Sequence, residues 1–409
     1  MSQGRSRPKQ RQGRALPVQY AILEPGTTTL RLLVAEVADG QATVLGWAEG
    51  PGWAGSGTDP QALLSSCERA LAQAEEMAHG SSDRWILPDQ ILVGLPASQL
   101  RGRAWSLVQR RARPDRPVEV RELEGLLERA LRLAINRLKS DHPDDSGWLL
   151  VDTAPVSLTV DGSGVTDPVG FRGREIGATV FAALARAEVV ELWGRVAQHL
   201  EFSALTLTAA PLALVAGLSD PQGILVDVGG ATTDLICCRA GRPVMLDSLP
   251  TGGAALTRFL VRPLNLTPDR AEQLKRAYSA GRLPTEARAY IKEALEPGLQ
   301  AWLRETEAAM ARLDQDEPLA PHLYVLGGGG ALPGVIEAIR SLAWSPRLQF
   351  ARYPEVRHFR PTDVPGVVNR TALGQGMGDI SALALAAWAA QLQQAPARPA
   401  RILSELCQG

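Results

Sequence analysis

Two segments of the chain place a carboxylate at the end of an apolar run, directly before a glycine turn that contains threonine. The first contains, in order, Glu24, Gly26, Thr27 and Thr28. The second contains, in order, Asp227, Gly229, Gly230, Ala231, Thr232 and Thr233. A glycine turn can present bare backbone N–H groups to an anion, and the carboxylate can hold a hydrated cation beside that anion. The pattern therefore predicts two β-hairpins that grip a nucleotide phosphate with Mg²⁺, although one such hairpin alone would be an ordinary turn.

The length and composition limit the possible classes of protein. The chain has 409 residues, of which 45% are hydrophobic, and this is enough for two lobes with their own cores. The formal net charge of −1 gives no reason to expect nucleic acid as a partner. The four cysteines follow no disulfide or metal-binding spacing, so we expect reduced thiols and a cytoplasmic protein.

Neither a signal peptide nor a membrane-spanning segment is expected. No uncharged apolar run reaches the length of about eighteen residues that a spanning helix needs. Residues 1–17 are basic and almost free of apolar side chains, which predicts a disordered tail without the apolar core of a signal peptide. This tail is either solvated or in contact with an anionic lipid or an acidic partner.

Further glycines accompany the two hairpins. The pair Gly252 and Gly253 stands where a helix is predicted to begin, and such a pair lets backbone N–H groups approach a phosphate. Late in the chain, the apolar run 323–326 leads into four consecutive glycines, residues 327–330, and then into a helical pattern.

Two hairpins some two hundred residues apart, followed by a late glycine turn, resemble the actin/Hsp70/sugar-kinase superfamily. The resemblance implies a two-lobed α/β fold of the actin-like (ribonuclease H-like) ATPase type, with ATP and Mg²⁺ as cofactors. It implies phosphate contacts from both hairpin turns and from the glycine pair, and a Mg²⁺ held through water by Asp227 and Glu24. It also implies adenosine contacts from Glu272, Lys275, Gly328, Gly329 and Gly330. The alternative for Glu272 and Lys275 is a surface ion pair on one face of a helix.

The segment 96–174 interrupts the first lobe with a basic stretch, one long amphipathic helix and two predicted strands, 148–152 and 156–160. This small α+β (SHS2-type) module resembles the extra subdomain of the cell-division protein FtsA and of the pilus-assembly protein PilM. In those families the module mediates contacts between protomers. Its arginines are either a solvated face or a contact for something acidic.

The domain boundaries that we predict are a tail (1–17), the first-lobe core (18–95), the module (96–174), the rest of the first lobe with the inter-lobe helix (175–220), the second lobe with its closing helix (221–393) and a flexible tail (394–409). Residues 266–320 are expected to form a helical subdomain that covers the nucleotide. Residues 283–313 are expected to be largely helical, with an interruption around 296–298.

The resemblance implies an ATP-binding scaffold at the cytoplasmic face of the bacterial membrane in cell division, like FtsA. It implies a membrane-associated assembly partner, either FtsZ-like or a pilus protein, and self-association. A PilM-like scaffold in type IV pilus assembly is the first alternative, and a small-molecule kinase of the same fold is the second. The inter-lobe segment 212–218 offers no acidic, amide or histidine side chain to orient water, so we expect at most slow ATP hydrolysis.

Overall fold

The computed structural model describes residues 17–52, 60–80, 86–140, 147–217, 222–313 and 318–408. The predicted basic tail lies outside these residues except for Pro17. The strands are β1 (Val18–Pro25), β2 (Thr29–Ala38), β3 (Gln41–Pro51), β4 (Gln90–Leu95), β5 (Leu100–Arg110), β6 (Trp148–Val160), β7 (Ser163–Val165), β8 (Glu175–Arg186), β9 (Ala204–Ala209), β10 (Gly223–Val228), β11 (Thr233–Arg239), β12 (Arg242–Leu249), β13 (His322–Leu326), β14 (Glu355–His358) and β15 (Val367–Asn369). The helices are α1 (Pro60–Gly80), α2 (Val120–Ser140), α3 (Ala187–His199), α4 (Ala210–Ala216), α5 (Gly253–Val261), α6 (Pro268–Ser279), α7 (Thr285–Leu313), α8 (Val335–Ser341), α9 (Ile380–Leu392) and α10 (Arg398–Gln408).

A six-stranded sheet, in the order β15-β3-β2-β1-β4-β9, forms the centre of the first lobe. Apolar side chains alternate between its two faces, so each face carries its own core. One core contains the nearly continuous apolar helix α9, which packs against β1, β2, β3 and α4. A helix that is apolar on all sides is stable when neighbours cover every face, as they do here.

A nine-stranded sheet, in the order β14-β13-β10-β11-β12-β5-β8-β6-β7, joins the second lobe to the inserted module. The junction between β12 and β5 is narrow, with Met245 paired to Arg103. Strand β8 pairs along its whole length with β5 and β6. The domain boundary that we predicted at residue 174 therefore separates β8 from β5 and β6, although the three strands pair in one sheet. The division into domains remains a proposal.

The module contains one long strand where we predicted two. Strand β6 runs from Trp148 to Val160 with irregular pairing to β8 on both sides of Pro155. Strand β7 covers only the last residues of β6, so Pro155, which lacks a backbone N–H, lies where the outer edge of β6 is open. The proline therefore bends the strand without ending it.

Helix α7 is continuous from Thr285 to Leu313, so the predicted interruption around residues 296–298 is wrong. Pro297 lies inside the helix and removes one backbone hydrogen bond. Leu295, Leu299 and Trp302 are buried on the same helix. Their burial outweighs the proline because each buried large apolar side chain contributes about 1.5–3 kcal/mol.

The predicted flexible tail at residues 394–409 is also wrong for most of its length. Residues 398–408 form α10, in which Ile402 and Leu403 are buried against α2 and β6 of the module. Arg398 donates to the Asp167 carboxylate at 2.6 Å, which fixes the start of the helix. Ile402 and Leu403 are therefore covered by the chain itself, whereas Leu406 on the same helix is exposed.

Candidate functional site: a cleft between three glycine turns

The two hairpin turns and the late glycine turn meet at one cleft of about 300 Å³. Of the residues that the sequence predicts for the site, those lining this cleft are Glu24, Gly26, Thr27, Thr28, Asp227, Gly229, Gly230, Thr232, Gly253, Glu272, Lys275, Gly328 and Gly329. Most of the predicted site thus comes together from segments that are up to three hundred residues apart.

In the first hairpin, Glu24 lies directly opposite Arg31 on the neighbouring strand. The Arg31 guanidinium donates to Glu24 Oε2 at 3.0 Å and to Asp379 Oδ1 at 2.8 Å, and its Nε lies 3.3 Å from Glu49. Burial alone would lower the pKa of Arg31, but the surrounding carboxylates raise it. Burial raises the pKa of Glu24, and the charge of Arg31 opposes that rise. The carboxylate of the first hairpin therefore has a permanent cationic partner.

In the second hairpin, the corresponding position pairs two acids, Asp227 and Asp234. Ser248 donates to Asp234 at 2.6 Å, and Ser381 donates to Asp227 at 3.3 Å. Shielding from water, followed by repulsion from Asp234 and Glu24, raises the pKa of Asp227 to about 7. Burial raises the pKa of Asp234 to about 6. Both acids lack an ionic partner of their own within the described residues.

This carboxylate pair fits a hydrated Mg²⁺. A divalent cation beside Asp227 would relieve the repulsion that raises its pKa. Within the ranges that the structure describes, no three acidic, histidine or cysteine side chains converge closely enough to hold a metal on their own. Mg²⁺ usually keeps several waters and takes phosphate oxygens as ligands, so one or two carboxylates are enough.

The turns of the two hairpins touch each other. The Ala231 N–H donates to Thr27 Oγ1 at 3.0 Å. A Cβ placed on Gly230 would lie 2.0 Å from Thr28 Oγ1, so the contact requires glycine at this position. The Ala231 N–H, which the sequence predicts as a phosphate donor, is therefore bonded to the opposite turn in this structure.

The late glycine turn closes the far side of the cleft. Gly327 has a φ of +83°, and a Cβ there would lie 2.2 Å from Asp227 Oδ1. The Gly329 N–H donates to the Val228 carbonyl at 2.8 Å, which ties this turn to β10. A Cβ on Gly328 meets no atom within 4 Å, so this position opens into the cleft.

Besides Ala231, three of the predicted site residues do not line the cleft. Thr233 is fully buried, and its hydroxyl donates to the Thr251 carbonyl at 2.7 Å, so its side chain does not line the cleft. Gly252 packs against the second hairpin, because a Cβ there would lie 2.7 Å from the carbonyl oxygens of Gly229 and Gly230. Gly330 is buried within the turn itself. All three residues shape the cleft from behind.

Glu272 and Lys275 line the cleft from α6 and form an ion pair at 2.8 Å. Lys275 Nζ also donates to the Gly253 carbonyl at 2.6 Å and to Thr257 Oγ1 at 2.8 Å. Burial opposes ionisation of Glu272, but hydrogen bonds from Lys275 and Thr257 lower its pKa to about 2. The pair is therefore charged and fixed, and it anchors the first turn of α5 to α6.

Several cleft residues were missed by sequence reasoning. Arg31 and Asp234 each follow the hairpin carboxylate by seven residues and are the first charged residues of strands β2 and β11. This shared spacing could have marked them in the sequence. Ser381 and Asp379 come from the far end of the chain, and no local pattern marks them.

A wider hollow of about 840 Å³ lies on the other side of Glu49, between α1 and residues 372–375. It shares Glu49 with the cleft, but none of the three glycine turns lines it. The three predicted nucleotide-binding turns therefore line only the smaller cleft.

Comparisons with known proteins agree with this geometry. The family model described as cell division protein FtsA matches residues 224–377, which include the second hairpin and the late glycine turn. The cell division protein FtsA of Enterococcus faecalis is 24% identical over 353 residues, which cover 79% of this chain and 76% of that protein. The FtsA of Pseudomonas aeruginosa is 23% identical over 354 residues, which cover 79% and 81%.

Solved structures show the same architecture. A chain of the PilM-PilN type IV pilus biogenesis complex superposes with a TM-score of 0.61 at 19% identity, covering 90% of this chain and 98% of that chain. The ethanolamine utilization protein EutJ from Carboxydothermus hydrogenoformans superposes with a TM-score of 0.50 at 15% identity, covering 91% of each chain.

The fold is therefore the actin-like α/β fold with two sheets, as the sequence predicts. Within that class, the chain is similar to actin-like proteins of the FtsA/PilM type. Its sequence relatives are FtsA proteins, and the structural superposition with PilM covers most of both chains.

Proposed function

We propose that the chain binds ATP with Mg²⁺ in the cleft and acts as a nucleotide-dependent scaffold in bacterial cell division. The observation that carries the proposal is the meeting of three glycine turns beside the pair Asp227 and Asp234. The cell-division role is supported by the FtsA relatives, which match about four fifths of the chain.

The roles of the residues follow from their positions. Asp227 would hold the hydrated Mg²⁺, and the turns at Gly26 and Gly229 would offer N–H groups to the phosphates. Gly328, which opens into the cleft, would lie against the adenosine together with Glu272. Bound Mg²⁺ would supply neutralisation of the phosphate charge. Glu24 would act beside the cation only through water, because Arg31 already occupies its carboxylate.

We further propose that hydrolysis is slow or absent. Helix α4 at the lobe junction is built from alanine, proline, leucine and valine, and residues 211–215 are buried. It provides no side chain to position an attacking water, and such positioning typically contributes about 10²–10⁴-fold to a rate.

The place of action that we propose is the cytoplasmic membrane face, reached through a membrane-bound partner or through self-association. Among the described helices, none is both long and apolar enough to cross a bilayer. Burial of Ile402 and Leu403 against the module leaves α10 little apolar surface for lipid contact. Recruitment by a partner therefore accounts better for membrane association than insertion of this helix.

Assembly of a type IV pilus is the second candidate function, and the superposition with the PilM chain favours it. Neighbouring cell-division genes would favour the division role, and neighbouring pilus genes would favour pilus assembly. A small-molecule kinase remains the candidate from another class, and it would need a carboxylate base beside a substrate hydroxyl. A turnover of several per second with an alcohol substrate would favour the kinase.

The variant Gly328→Leu tests the nucleotide site. The Cβ of the new side chain would meet no protein atom within 4 Å and the rest would extend into the cleft, so the fold should persist while ATP affinity falls by about a hundredfold or more. Gly194→Leu on α3 is the matched control, because its Cβ also meets no atom within 4 Å. Calorimetric titration with Mg·ATP provides the measurement. Equal ATP affinities of Gly328→Leu and of the control would show that ATP does not bind in this cleft.

A further inference from the structure

The outer edge of the second lobe, away from the cleft, exposes two large aromatic side chains. Trp344 is 78% exposed and Tyr353 is 68% exposed, the highest values among the large apolar side chains that the structure describes. Their ring centroids are 5.8 Å apart and the ring planes meet at 67°. Exposed aromatic pairs of this kind are costly for a monomer and are typical of contact sites.

The backbone holds these aromatics in place. The Leu319 N–H donates to the Gln349 carbonyl at 2.7 Å, and the Ala351 N–H donates to the Leu319 carbonyl at 2.9 Å. Leu348, between the two aromatic positions, is buried in the core of the second lobe. The exposure of the rings is thus a property of an anchored segment.

Strand β14 follows Tyr353 directly and forms the outer edge of the nine-stranded sheet. The N–H groups of Glu355 and Phe359 point inward, to the carbonyls of Pro321 and Val325 at 2.6 and 3.0 Å. Because peptide groups alternate sides along a strand, those of Val356 and His358 point to the open edge. An open edge of this kind is a template for one more strand.

The same stretch is strongly basic. Residues 340–360 contain five arginines and one histidine but only one acidic residue, Glu355. Glu355 is already paired with Arg357 at 2.7 Å. Arg347 and Arg352 are exposed and lie between the two aromatic positions in sequence, and Arg347 is 3.6 Å from the Glu307 carboxylate. A whole chain with a net charge of −1 thus carries a local positive surface at this edge.

We propose that the aromatic edge, formed by Trp344, Arg347, Arg352, Tyr353 and the outer side of β14, binds an acidic peptide segment of a partner protein in extended conformation. The open edge of β14 would pair with the peptide backbone, and the arginines would pair with its carboxylates. The two aromatic rings would take an apolar side chain of the peptide. The site is separate from the nucleotide cleft and does not depend on nucleotide binding there.

The probe is a fluorescein-labelled nine-residue peptide in which glutamate alternates with valine and a central phenylalanine. Fluorescence polarisation with the full chain, at low salt and without nucleotide, should show saturable binding. Two matched peptides identify the chemistry: one carries lysine in place of each glutamate, and the other is N-methylated at alternate residues so that it cannot add to a sheet. Neither should bind.

Two variants locate the binding. Trp344→Ser and Arg352→Glu should each weaken binding by about tenfold, because central aromatic and arginine contacts dominate such interfaces. Tyr290→Ser on α7 and Arg121→Glu on α2 are the controls, since both residues are exposed at other places. Unchanged circular dichroism should accompany all four variants, because each change is at an exposed side chain.

The proposal is overturned if the acidic peptide does not bind saturably, or if the lysine or N-methylated peptide binds equally well. It is also overturned if Trp344→Ser and Arg352→Glu bind like the controls. The same assay with labelled oligothymidylate and with vesicles of anionic phospholipid tests whether nucleic acid or lipid binds to the aromatic edge instead. Tighter binding of either one, lost in Trp344→Ser, would assign the edge to nucleic acid or to lipid instead.

Discussion

The two hairpins of the cleft share a backbone plan but differ in charge at one cross-strand position. In the first hairpin, Glu24 faces Arg31, which is a pair of opposite charges. In the second, Asp227 faces Asp234, which is a pair of like charges. Opposite charges across a sheet stabilise it, and like charges destabilise it. The carboxylate of the first hairpin therefore has a cationic partner across the sheet, whereas Asp227 faces another acid, and we propose that a bound cation supplies its partner.

From this difference we infer that the first hairpin mainly stabilises its lobe and that the second mainly binds the ligand. The network around Arg31 joins β1, β2 and β3 to Asp379, next to α9, and so holds the first lobe together. Within the described residues, the charge of Asp227 is offset by the weak hydrogen bond from Ser381 and by the charge of Arg31, and burial and the neighbouring acids outweigh both. An acid with a raised pKa and no ionic partner is typical of a functional site, where a ligand supplies the partner.

Breaking the first hairpin should have the largest effect on stability. Arg31→Met leaves Glu24 and Asp379 without their cation, and removing one partner of a buried ion pair typically costs about 3–5 kcal/mol. Urea unfolding measures the loss. Arg110→Met is the control, because Arg110 is 91% exposed at its side chain and its pair with Glu175 should contribute less than about 1 kcal/mol. Equal losses in both variants would show that the Arg31 network does not hold the lobe.

Breaking the second hairpin should have the larger effect on nucleotide affinity. Asp227→Asn removes the carboxylate that we propose to hold the hydrated Mg²⁺. The affinity for Mg·ATP should therefore fall by about a hundredfold, roughly 2.7 kcal/mol. Glu24→Gln keeps the hydrogen bond with Arg31 and should lower affinity by less than about tenfold. Calorimetric titration of both variants at pH 8 makes the comparison. A larger loss in Glu24→Gln would reverse the roles that we assign to the two hairpins.

Much of the cleft could be predicted from the sequence because its key parts are local patterns. A carboxylate, a glycine turn and an apolar strand lie within about ten residues, and each pattern folds by local rules into a hairpin. The late glycine turn follows the same logic. The resemblance to a known family then placed the three turns at one site.

The parts that could not be predicted depend on contacts between distant segments. Ser381 reaches the cleft, and Asp379 reaches Arg31, only because α9 packs between the two lobes, and nothing beside them in the chain indicates this. The burial of Thr233 follows from its hydrogen bond with Trp302, which is 69 residues away. The docking of α10 on the module likewise depends on apolar positions of α2 and β6.

We predict that Asp227 is held near neutrality until Mg·ATP supplies its cation. The pKa of this carboxyl is raised to about 7, so its protonated form predominates at pH 6 and its charged form at pH 8. Cation binding needs the charged form. A proton must therefore leave when Mg·ATP binds at low pH, and affinity should fall about tenfold from pH 8 to pH 6.

Calorimetry of Mg·ATP binding in two buffers with different ionisation enthalpies measures this proton directly. At pH 7 the wild-type chain should release about half a proton per ATP bound, and Glu24→Gln should release less, because the repulsion from Glu24 that raises the pKa of Asp227 is lost. Asp227→Asn should release none, and its affinity should not change between pH 6 and pH 8 beyond the titration of the nucleotide itself. Absence of proton release from the wild-type chain, or equal release from Asp227→Asn, would contradict the claim.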